Sequence, residues 1–178
     1  MALGDHLATP LTALKTLLSE SVHFRTLMGV AVVSDEWTLA QAKAAAEAKV
    51  SMGYGLDKNE FLKDSVADTE DQFPRTIIAI EDFSSDRQTV SSWTTEVSIS
   101  LRIDALGPAT EMTLPARYFN FLERVEGTVD DIRDAAADLT RINLQSVETA
   151  VAPQRLETRD QGNMPELWYA VLMLGVQT

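Results

Sequence analysis

The most regular pattern in the chain is WTTEVSISLRIDAL. Val97, Ile99, Leu101 and Ile103 alternate with Glu96, Ser98, Ser100, Arg102 and Asp104. A period of two predicts a strand over 94–106, with one buried face and one that is wet or forms a polar interface. Just upstream, RTIIAIEDF at 75–83 is apolar on both faces in its middle, as in a strand covered on both sides. The polar SSDRQTVSS at 84–92 joins the two as a hairpin with a long turn.

Elsewhere the period is helical. Residues 9–29 predict a first helix, with Thr9 as N-cap, Pro10 at the first helical position and Gly29 as the stop. Leu11, Leu14, Leu18 and Val22 form its apolar stripe. Residues 38–50 predict a second helix, alanine-rich, opened by a capping box of Thr38 and Gln41. Its small side chains would also allow close packing, even against another subunit. Residues 116–139 predict the best helix, with Phe119, Leu122, Val125, Val129, Ile132, Ala136 and Leu139 spaced by three and four. Gly127 weakens that helix by about 1 kcal/mol relative to Ala and is a candidate kink.

Two more strands close the chain. Residues 144–156 alternate poorly around Ser146, and Pro153 sits near their end, so an edge strand or a bulge is expected. Residues 166–178 are apolar on both faces, which fits a central strand. Between the second helix and the hairpin, 53–73 shows no period and is acidic. Phe61 and Leu62 are its candidate anchors or partner contacts. Within it, 56–73 carries Asp57, Glu60, Asp64, Asp68, Glu70 and Asp71 with few apolar groups, so it is expected to be mobile until assembly orders it. The order is α-α-loop-β-β-α-β-β. It predicts one α+β domain over 1–178, with a mixed or antiparallel four-stranded sheet and helices packed on it.

Composition narrows the functions. The 178 residues suffice for one substantial core. The net charge of −12 argues against a surface for nucleic acid or anionic membrane built on net charge. No apolar run is long enough to span a bilayer. The opening MALGDHLATP has no basic segment followed by an apolar one, so no export signal is expected. There is no cysteine, which excludes disulfides, thiolate metal sites and a cysteine nucleophile.

Candidate chemistry is thin. His6 and His23 are the only histidines and do not have the spacing of a metal pair. No Gly-x-Ser-x-Gly elbow is present. GYG at 53–55 lacks the Lys and Ser/Thr of a phosphate loop. VADTEDQ and VDDIRD lack the alternate-ligand pattern of a calcium loop and read as solvated faces. Trp37, Trp93 and Trp168 fit core or interface anchors better than a ligand box. No catalytic, metal or cofactor residue is therefore assigned, and no cofactor is expected.

The order and texture of these segments resemble the tail terminator, or tail completion, proteins of long-tailed bacteriophages. The resemblance runs from SVHFRTLMG and AQAKAAAEAKV through the acidic loop, FPRTIIAIED and WTTEVSISLRIDAL. It continues to FNFLERVEGTVDDI and the closing strand pair. It implies a non-enzymatic virion protein, located in the tail near the neck and assembled in the host cytoplasm. The protein would form a homohexameric ring that caps the major tail tube protein, stops tube growth and meets a head-completion or neck protein, with no stable nucleic-acid or membrane binding. On that reading Glu96, Arg102 and Asp104 are candidates for pairing between subunits, and Trp93 for binding energy. Two other readings stay open: another phage neck or tail connector component, and an enzymatic or small-ligand-binding α+β domain.

Overall fold

The long hairpin predicted from period two is the spine of the fold. In the computed structural model, which describes residues 3–30, 38–54, 74–87, 93–106, 113–136, 143–156 and 167–177, it is built from β2 (Arg75–Arg87) and β3 (Trp93–Leu106). The two pair antiparallel from Arg75↔Asp104 to Arg87↔Trp93, with an irregularity between Ile80 and Asp82. β4 (Asn143–Leu156) and β5 (Leu167–Gln177) form the second antiparallel pair. β5 lies between β3 and β4, as its two apolar faces predicted. β4 is an edge strand with register shifts at Leu144/Ser146, Thr149/Val151 and Val151/Gln154, as the broken alternation around Ser146 and the position of Pro153 suggested.

The sheet has five strands, not the four expected. β1 (Val50–Tyr54) pairs parallel with β2 from Val50↔Thr76 to Tyr54↔Ile80, which makes the sheet mixed, in the order β1-β2-β3-β5-β4. The sequence pattern ends a helix at residue 50 and opens a loop at 53. The backbone of Thr76 donates to the Lys49 carbonyl at 2.9 Å and brings the chain alongside β2 as soon as the helix ends. The rest of the acidic stretch, with Phe61, Leu62 and the whole segment expected to be mobile, lies outside the described residues.

The first predicted helix is two. α1 (Leu3–Glu20) and α2 (Val22–Leu27) break at Ser21, whose extended backbone and side-chain oxygen cap α2 by accepting from the Phe24 N–H at 3.0 Å. The guanidinium of Arg25 then donates to the Ser19 and Glu20 carbonyls at 2.7 Å each, satisfying the open end of α1. The break changes which residues face inward. Leu11, Leu14 and Leu18 are buried, but Val22 is 52% exposed, and Phe24 and Leu27 take its place in the core. Thr9 is not a cap, because α1 begins at Leu3 and holds Pro10 within it. A proline removes only its own N–H from the ladder and does not by itself fix where a helix starts. Gly29 ends α2 as predicted, with φ of 69°. The Gly29 N–H donates to the Thr26 carbonyl and the Val30 N–H to the Arg25 carbonyl, a Schellman closure.

α3 (Leu39–Ala48) carries the predicted capping box of Thr38 and Gln41. α4 (Leu114–Ala136) is continuous through Gly127. There the glycine serves packing, because a Cβ would stand 2.5 Å from Cδ2 of His23 on α2. Its stripe is Phe121, Val125, Val129, Ile132 and Ala136. Phe119, expected to join it, is 65% exposed, whereas Phe121 is 2% exposed. Two successive steps of three residues from Phe119 drift roughly 120° off the Val125 face at about 100° per residue, while Phe121 is one step of four away. Leu139 lies outside the described residues.

The four described helices contribute to one core against one sheet face, formed by Ile78, Ile80, Val97, Ile99, Leu101, Ile103, Leu172 and Leu174 among others. Full burial of each such side chain is worth about 1.5–3 kcal/mol. The inward set of β3 is the one the alternation predicted.

Candidate functional site

The opposite sheet face carries the polar side of β3, and strand register decides what each residue meets. Asp104 lies between Arg75 of β2 and Tyr169 of β5, and Arg102 lies between Ile77 and Val171. Asp104, at 0% exposure, accepts from Arg102 Nε at 2.8 Å and from Arg75 Nε at 3.4 Å. The Arg102 guanidinium carbon lies 5.1 Å from the centre of the Tyr169 ring, a cation–π contact that occupies the face of the cation. Two steps along, Ser100 is buried and its hydroxyl donates to Glu81 Oε1 at 2.6 Å, where the β2 register slips.

Two of the interface candidates are thus buried within the chain: Arg102 is 6% exposed, Asp104 is buried completely, and the two pair with each other. Glu96, two residues before Ser98 on the same face of β3, is exposed. Trp93 opens β3 opposite Arg87. Phe61 and Leu62 lie outside the described residues.

Toward the Glu96 end the face opens. An open groove of about 440 Å³ runs across β2, β3, β5 and β4, lined by Asp82, Ser84, Glu96, Ser98, Gln145 and Gln177 with Gly175 in its floor. The Gln145 amide donates to Gln177 Oε1 at 3.3 Å. Its described lining includes two carboxylates and no Lys, Arg or His. Such a lining favours hydrogen-bond donors and cationic groups over anions. Its serines have no histidine beside them in that lining, so the nucleophile–base pairing of acyl transfer is not assembled there. Among the described residues, no three His, Asp or Glu side chains gather to hold a metal ion.

No protein-family model matches the chain, and no curated protein matches it.

A second surface feature comes from α4. Phe119 packs edge-on against Tyr118 at 5.7 Å, Tyr118 lies 6.0 Å from Trp168, and Trp168 lies 5.8 Å from Phe121. The series runs from the core to an exposed ring. The sequence reading missed it by assigning Phe119 to the buried stripe. Trp168 is a core anchor, in line with the ordinary reading of the tryptophans. His23 is half-buried against α4, with Nδ1 3.4 Å from an Arg124 nitrogen, on the helical side of the sheet and away from the groove. The acidic run on α4 is partly structural. Asp131 accepts from the Ser21 hydroxyl at 2.6 Å, whereas Asp130 pairs with Arg133 at the surface.

Proposed function

We propose that this chain is a structural component of a phage tail, which assembles as a ring of six, caps the tail tube and presents its other side to the neck. The observation that carries the reading is the order of elements around the long β2–β3 hairpin, in a mixed sheet with helices on one face. From the hairpin onward this is the order on which the resemblance to tail terminators rests, whereas upstream of it the chain has three helices and β1 in place of two helices and a loop.

A tube grows because each ring offers a surface complementary to the next, a contact that does not close along the axis. A terminator reproduces one of these surfaces and lacks the other. Among the described residues, the exposed groups available for such contacts include Glu96 with the polar groove, and Phe119 on α4. Exposed aromatics are the better source of binding energy, and charges the better source of register. The partners on this reading are other copies of the chain, the tube protein and a neck protein. The reading requires no reaction and no cofactor.

The test is to withhold the protein during virion assembly and measure tail lengths by electron microscopy. Tails of abnormal length that fail to join heads are expected. Tails of normal, uniform length that still join heads would reject the proposal. The polar groove favours a second reading, a domain that binds a small cationic ligand. A chain that stays monomeric and binds such a ligand tightly would support it.

A further inference from the structure

No further inference is drawn: the strongest candidate, the open polar groove across β2, β3, β5 and β4 with Asp82 and Glu96 in its lining, contains no buried unpartnered polar side chain among its described residues, and nothing in the structure shows what covers it.

Discussion

The ring of His23 occupies the space that a side chain at Gly127 would need, with Cδ2 2.5 Å from the position of a Cβ there. Helix propensity alone favours Gly127→Ala by about 1 kcal/mol. The clash reverses the sign, because the atoms met include the base of a ring packed between two helices. We expect Gly127→Ala to destabilise the fold by about 1–3 kcal/mol. Adding His23→Ala should recover much of that loss. Urea midpoints of the single and double variants provide the check, and a stabilised Gly127→Ala protein would show that the two helices are free to separate.

Asp104 is the acceptor for two guanidinium groups on the outer face of the sheet. Asp104→Ala removes the anion and leaves Arg102 buried, a change expected to cost about 3–5 kcal/mol. Arg102→Met should cost less, because Arg75 still faces the carboxylate and the methionine packs beside Tyr169. Since the residues touch, the losses should not add. A double-mutant cycle measured by chemical denaturation gives the coupling. Strict additivity would mean that the pair contributes nothing jointly.

Ser21 makes two bonds with one hydroxyl, accepting from the Phe24 N–H and donating to Asp131. Ser21→Ala removes both and should destabilise by about 1–2 kcal/mol. Asp131→Asn retains an acceptor and should cost less. Hydrogen exchange separates the two roles. The Phe24 amide should lose protection in Ser21→Ala and keep it in Asp131→Asn.

Duplex DNA should bind weakly. With a net charge of −12 per chain, the proposed ring of six would concentrate negative charge along any channel it encloses. Phosphate is repelled from such a wall and slides past it. Fluorescence anisotropy with a labelled duplex at ordinary salt should show no binding tighter than roughly 10 µM, the middle of the usual non-specific range. Tighter binding would count against the charge argument.

The sequence was most legible where one local rule acted without competition. The alternation of Val97, Ile99, Leu101 and Ile103 gave the core face of β3, and Thr38 with Gln41 gave the start of α3. It was least legible where a distant partner decides. VSMGY becomes a strand only because β2 lies beside it, and five residues after an alanine helix carry no period of their own. Ser21 fits a helix interior as well as a cap, and Asp131, far along the chain, supports the cap. Arg102 and Asp104 looked like surface charges because alternation tells which face a residue is on and not what covers that face. The position of Arg75 opposite Asp104 is a matter of register, which the two strands share and neither one displays.

The place of β5 in the sheet bears on how the protein is made. β5 follows every other described element in the chain, yet it fills the slot between β3 and β4. During vectorial synthesis the β2–β3 hairpin can close early, because its strands are neighbours in sequence as well as in space. The emerging chain then holds unmet backbone groups on the margins of β3 and β4 that β5 will fill, until Leu167 and the residues after it leave the ribosome. In that interval the nascent chain is most exposed to mispairing with other chains. Insertion of β5 pairs both inner margins in one step and joins the two halves of the sheet, leaving β1 and β4 as its edges.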